Sequence, residues 1–356
     1  MRRSLGCASG NAGGAGRFHL PTVHWYRENR TTTALLLCIA GLVLLGIGGE
    51  MIVRSSSRLA VALGITPLVI GLTIVSIGTS LPELAVGVIA AWQGSGGLAV
   101  GNIAGTNMVN ILFILGLSAL IRPLPLAMRV LRLDLPVMVI AGGCMVVMAW
   151  DGMLGRQDGS VMILAAVLYT ALLLKTVRRE SRDIQAEFKE VYVGEAATRR
   201  RLARTWPYHG AVLVAGMALT ILGADLLVDG AVGIARAVGL SEAIIGLTIV
   251  AIGTSAPELA TTIIGTIRDE RDVAVGNLLG SSIYNILVIL GFTCVAAPGG
   301  LPVERALLTF DIPLMAAVAV LCVPVFLSDR CVSRTEGGMF VAAYLFYMAW
   351  LILFRT

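Results

Sequence analysis

Two glutamates stand inside long apolar runs, each flanked by hydroxyls, glycines and a proline. The first run reads Gly71-Leu-Thr-Ile-Val-Ser-Ile-Gly-Thr-Ser-Leu-Pro-Glu83-Leu-Ala. The second, Gly246-Leu-Thr-Ile-Val-Ala-Ile-Gly-Thr-Ser-Ala-Pro-Glu258-Leu-Ala, begins 175 residues later. An ionisable side chain in such a run costs about 2.5–3.5 kcal/mol to insert into a bilayer, so it needs a partner or a task. Proline removes one amide hydrogen bond and collides with the carbonyl four residues back. That carbonyl belongs to Gly78 for Pro82 and to Gly253 for Pro257. Each break frees a carbonyl oxygen, beside Thr79, Ser80 and Glu83 in one copy and beside Thr254, Ser255 and Glu258 in the other. Backbone exposed at membrane depth is tolerated only where it lines a cavity or is buried in protein. The two blocks are therefore expected to build a pocket of oxygens.

A second pair of blocks follows. Ala99-Val-Gly-Asn-Ile-Ala-Gly-Thr-Asn-Met-Val-Asn110 matches Ala274-Val-Gly-Asn-Leu-Leu-Gly-Ser-Ser-Ile-Tyr-Asn285, and residues 71–112 and 246–287 share 22 of 42 positions without a gap. Gly101 and Gly105, like Gly276 and Gly280, have the small-xxx-small spacing that lets helices approach closely. Thr106 and Asn110 lie one helical turn apart, as do Ser281 and Asn285, so each pair shares a face. The polar inventory is two carboxylates, six hydroxyls and two amides, with no nitrogen or sulfur ligand. Hard oxygens in a flexible arrangement suit Ca2+ and Na+, whereas Mg2+ demands a stricter octahedron and keeps its waters. A single such block could be no more than a proline kink beside a packing face. The second copy, with its own intramembrane glutamate, turns the balance toward ion binding.

These residues need a membrane scaffold, and the composition supplies one. Hydrophobic residues make up 57% of the chain and charged residues 14%, far below the quarter typical of soluble domains. Ten spans are expected, at about 33–63, 66–92, 98–121, 131–150, 160–177, 206–238, 241–267, 273–297, 307–327 and 337–354. Residues 1–32 are polar and Gly/Arg-rich and are expected to form a disordered tail, and 178–205 to form a charged connector. Gly49-Glu50 and Gly64 align with Ala224-Asp225 and Gly239 at the same offset, and Arg54 with Asp229. Glu50 and Asp225 lie nearer span ends and are expected to have structural or vestibule roles. Asp134 and Asp311, each two residues before a proline, are expected to cap spans 4 and 9.

Five spans per repeat is an odd number, so the two halves enter the membrane from opposite sides as inverted repeats. The expected fold is all-α and polytopic, with repeats at 33–177 and 206–356 and spans 2, 3, 7 and 8 broken or kinked around a central ion site. Placing the connector in the cytoplasm gives 18 Lys/Arg to cytoplasmic loops and span ends and 9 to the other side, five of the 9 in the tail. Positive charge collects on cytoplasmic loops, so both termini are expected outside, with the protein in the plasma (inner) membrane. Trp92, Trp150, Trp206 and Trp350 fall at span ends, as in an aromatic belt. The six cysteines form no CxxC and no metal-ligand spacing, and the net charge of +5 comes with no interleaved basic and aromatic run for nucleic acid.

Both pairs of blocks resemble the alpha repeats of the sodium/calcium exchanger family, within the cation/Ca2+ antiporter superfamily, and in particular its prokaryotic members without a large regulatory loop. The resemblance implies that Glu83 and Glu258 are central ion ligands. It assigns neighbouring ligand positions to Thr79, Ser80, Thr254 and Ser255, and to Thr106 with Asn110 and Ser281 with Asn285. Thr106 replaces a more usual Ser. Many relatives, notably potassium-dependent ones, carry Asp where this chain has Asn285, so potassium co-transport is not expected. The activity implied is Na+/Ca2+ antiport by alternating access, with no cofactor beyond the transported ions and no obligatory protein partner.

Ca2+/H+ exchange is the alternative, because a buried glutamate can titrate. That branch carries Gly-Asn-x-x-Glu, whereas here the motifs read Gly101-Asn-Ile-Ala-Gly and Gly276-Asn-Leu-Leu-Gly. An intramembrane hydrolase would need a base for its nucleophile, and His19, His24 and His209 all fall outside or at the margins of the spans. A non-transporting ion sensor would not need two symmetry-related half-sites.

Overall fold

The computed structural model describes residues 22–63, 65–187, 193–239 and 251–354, with side chains over 32–63, 65–176, 205–239 and 252–354. Almost all of this is helix. In chain order the helices are α1 (Thr22–Leu63), α2 (Pro67–Thr79 with Leu81–Trp92), α3 (Gly96–Ile121), α4 (Val130–Asp151) and α5 (Arg156–Glu187). The second set is α6 (Val193–Ala237), α7 (Ala251–Thr254 with Ala256–Ile267), α8 (Arg271–Ala296), α9 (Leu307–Ser328) and α10 (Arg334–Phe354). Among the described residues, eight single helices are long and apolar enough to cross a membrane, and the bent pair of α2 makes a ninth. The first part of span 7 lies outside the described residues, as does Gly64.

Contacts between the halves repeat under exchange of the halves. A methyl group on Gly41 would lie 2.6 Å from the Gly223 carbonyl oxygen, and one on Gly48 2.7 Å from that of Gly216. Gly41 and Gly216 are equivalent at the 175 offset, as are Gly48 and Gly223. Such distances leave no room for a side chain, so α1 and α6 run backbone against backbone. The same reciprocity joins α3 to α10 through Gly116 and Gly337, and α8 to α5 through Gly291 and Gly159. These are the contacts expected of a pseudo-two-fold axis between inverted repeats.

Burial ranks the helices. In their most apolar stretches α3 is 78% and α8 83% buried, against 28% for α5 and α10. The two central helices carry the second pair of polar blocks, and the outer ones turn Leu, Val and Phe to lipid. Four short strands tie loops together across the repeats. β1 (Leu124–Pro125) pairs antiparallel with β4 (Cys331–Val332), and β2 (Met153–Leu154) with β3 (Leu301–Pro302). Alternating spans put each paired set of loops on one side of the membrane.

Two expectations change, for the tail and for the two aspartates, and the connector gains a structure. Helix begins at Thr22, inside the segment expected to be a tail, while 1–21 lie outside the described residues. The connector is largely helical, because α5 runs on to Glu187 and α6 starts at Val193; its Arg, Glu, Ala and Gln are good helix formers. Asp134 and Asp311 do not cap. Each sits within a wide i→i+5 turn, Val130–Asp134 and Leu307–Asp311, with helical backbone at φ −71° and −70°. Their carboxylates instead accept hydrogen bonds from tyrosines on α5 and α10, Tyr169 to Asp134 at 2.9 Å and Tyr347 to Asp311 at 3.2 Å.

Candidate functional site

The breaks fall where the prolines require them. Ser80 has φ −87° and ψ 10°, Ser255 has φ −88° and ψ 9°, and α2 bends by 41° at the first of these. A new helix then begins, at Leu81 in one copy and at Ala256 in the other, with proline in its first turn. Glu83 and Glu258 occupy the first turn of these second halves, where the helix dipole favours negative charge. Both are wholly buried, and the Ser80 hydroxyl, three residues before Glu83, reaches Glu258 across the repeats.

Close backbone approach positions the first half of α2. A methyl on Gly276 would lie 2.6 Å from the Leu68 carbonyl oxygen, and one on Gly280 2.5 Å from that of Leu72. The small-xxx-small reading thus holds for α8. For Gly101 and Gly105 the equivalent partner segment, 243–247, lies outside the described residues.

The structure brings most of the expected residues together. Ser80 Oγ donates to Glu258 Oε1 at 3.2 Å, joining the two repeats. Ser281 Oγ donates to the Ser76 carbonyl at 3.4 Å, and Thr79 Oγ1 donates to Asn277 Oδ1 at 3.2 Å. Thr106, Asn110, Ser255 and Asn285 are buried as well, and Thr254 is half-buried. Among the described residues, Glu83 Oε1 and Oε2, Glu258 Oε2, Ser255 Oγ, Asn285 Oδ1 and both polar atoms of the Asn110 amide have no hydrogen-bond partner. A buried unpaired polar atom costs about 1–3 kcal/mol, and more when charged. A concentration of acceptor oxygens without donors is what a desolvated cation requires. No group of three His, Cys, Asp or Glu side chains occurs among the described residues, so two carboxylates and neutral oxygens are the available ligands.

Two polar residues escaped the sequence reading. Asn277 accepts from Thr79 and donates to Thr262 Oγ1 at 3.4 Å; its identity with Asn102 in the repeat was the available signal. Asn107 contacts Asn285 across the repeats at 3.3 Å. It has no repeat signal, because its equivalent is Ser282.

Glu50 lies away from this cluster. It pairs with Arg54 one turn on and with Arg268 beyond α7, the latter at 2.9 Å. Asp225 and Asp229, the equivalents of Glu50 and Arg54, are exposed and stand one helical turn apart on α6, where like charges repel.

A family model described as sodium/calcium exchanger protein matches residues 33–175 and 208–353. The inner membrane protein YrbG of Escherichia coli is 38% identical over 297 residues, 81% of this chain and 88% of that one. The sodium/calcium exchanger MaX1 of Methanosarcina acetivorans is 29% identical over 349 residues, 90% of this chain and 98% of that one. The solved sodium/calcium exchanger of Methanococcus jannaschii superposes with a TM-score of 0.75 at 27% identity, covering 90% of this chain and 98% of that one. With the family matched over both halves, and the ten-helix inverted-repeat fold shared with a solved relative, this chain belongs to the sodium/calcium exchanger family: it is a multi-pass membrane transporter and not an enzyme.

Proposed function

We propose that the protein exchanges Na+ for Ca2+ across the membrane, by alternating access at an all-oxygen site formed by Glu83, Glu258, Thr79, Ser80, Thr254, Ser255, Thr106, Asn110, Ser281 and Asn285. The observation that carries this reading is the pair of wholly buried carboxylates, one from each repeat, with three of their four oxygens unpartnered among the described residues. Two ionised glutamates balance one Ca2+ or two Na+. Either load shields them from the low-dielectric interior, whereas an empty, fully charged site is costly to move. That cost makes exchange obligatory. Sodium is favoured over protons as the counter-ion because neither Gly-Asn motif carries the glutamate of the proton branch. Asn285 keeps an oxygen ligand without a third carboxylate, so potassium is not needed.

The two repeats, 33–177 and 206–356, are the functional halves, and 178–205 joins them on the cytoplasmic side of the inner membrane, with both termini outside. Support comes from the excess of Lys and Arg on that side and from the relative described as an inner membrane protein.

Reconstituted protein should take up Ca2+ when a Na+ gradient is imposed, equally well with potassium or choline as the balancing salt. Uptake driven by a pH gradient alone, or lost in choline, would refute the assigned coupling. A cysteine introduced within 178–205 should resist an impermeant thiol reagent in intact cells and react in everted vesicles; the reverse pattern inverts the topology.

A further inference from the structure

The amides of Asn285 and Asn110 occupy equivalent positions in the repeats, yet only one of them is held. Asn107 Nδ2 donates to the Ser282 carbonyl at 3.2 Å and to Met315 Sδ at 3.6 Å. Neither the carbonyl oxygen nor the thioether sulfur can donate, so the NH2 group of Asn107 must face both of them. Its Oδ1 is then left as an acceptor, and Asn285 Nδ2 donates to it at 3.3 Å. The direction of each bond is fixed by the one before it. At the end of the relay, Asn285 must turn Oδ1 away from Asn107, and that oxygen has no partner among the described residues. All three side chains are at least 98% buried, so no bulk water competes for these bonds.

Asn110 has no such brace among the described residues. The residue equivalent to Asn107 is Ser282, whose hydroxyl bonds back to the Leu278 carbonyl of its own helix at 3.0 Å. Both polar atoms of Asn110 are without a hydrogen-bond partner among the described residues.

We propose that Asn107 is a positioning residue that locks Asn285 as an oxygen ligand for the transported cation, leaving Asn110 as the amide that can turn. This rests on the ion site proposed above. An amide carbonyl is a good ligand for Ca2+ or Na+, while an NH2 turned toward the same ion repels it. Without the relay, Asn285 would spend part of its time with the wrong end inward.

Asn107→Ser is the informative variant, because it installs the residue that the other repeat already tolerates at this position. The KM for Ca2+ in Na+-driven uptake should rise about tenfold or more, the usual effect of removing a residue that orients a metal ligand. Vmax should stay within about a factor of two, since a smaller side chain beside Met315 leaves the helices in place. Asn107→Leu should behave alike. A carboxylate offers oxygen at either end, so in an Asn285→Asp background the Asn107→Ser change should alter KM by less than about twofold. Where a variant transports too slowly for kinetics, the Ca2+ concentration that raises its melting temperature in detergent provides the same comparison. An unchanged KM in the Asn285 protein, or an equal rise in both backgrounds, overturns the proposal. Asn285→Leu separates the two levels. If it leaves the Ca2+ KM untouched, the ion site itself is wrong. If it raises KM while Asn107→Ser does not, the site stands and only the relay is wrong.

Discussion

The two halves of the site agree in backbone and differ in wiring. Ser80 and Ser255 share their φ and ψ to within a degree, and Glu83 and Glu258 open equivalent half-helices. Yet Glu258 accepts a hydrogen bond from Ser80, while neither oxygen of Glu83 has a partner and Ser255 Oγ bonds nothing among the described residues. The asymmetry extends outward. Glu50 is tied to Arg54 on α1 and to Arg268 beyond α7, whereas Asp225 and Asp229 stand together without a cation among the described residues. Duplication supplies the broken helices and the carboxylates; individual substitutions then decide which half is braced and which is left responsive.

The comparison can be broken most severely at the carboxylates. Glu83→Gln and Glu258→Gln should each reduce Na+-driven Ca2+ uptake at least a hundredfold, about 2.7 kcal/mol of lost stabilisation, while expression and insertion stay normal. If one variant keeps near-native flux, the halves are not equal partners in charge balance. A subtler cut removes the hydroxyls. Ser80→Ala takes away a bond that holds Glu258 in the ion-free protein and should lower its stability by about 1–3 kcal/mol. Ser255→Ala has no such bond to lose, so it should weaken Ca2+ binding with little change in ion-free melting temperature. Equal melting shifts would show that the observed asymmetry has no energetic content. The smallest effect belongs to the outer charges. Glu50→Gln should cost about 0.2–1 kcal/mol, fading at high salt, because its partners are half exposed. Asp225→Asn relieves like-charge repulsion and should be neutral or slightly stabilising, measured by the same salt-dependent melting.

The repeat, the spans and the broken helices were readable because proline, glycine and apolar length act locally and were printed twice. Asp134 and Asp311 were misread for the complementary reason. Asp before a near-terminal proline is a good local cap signal, but a wide turn continues each helix upstream, and the tyrosine that satisfies each carboxylate lies about 35 residues away. Asn107 gives no signal in the repeat, because its equivalent is Ser282 and its role depends on not being repeated.

The paired loops also bear on how such a chain is assembled. Leu124 finds its strand partner only at Val332, and the Leu126 amide only at the Arg330 carbonyl, 2.7 Å away. During synthesis the loop that carries Leu124 must therefore stay without its strand partner until the last loop has emerged from the ribosome. Contacts so distant in sequence close slowly. Separately expressed halves carry the same clasps in trans, so they should be able to find each other in the bilayer.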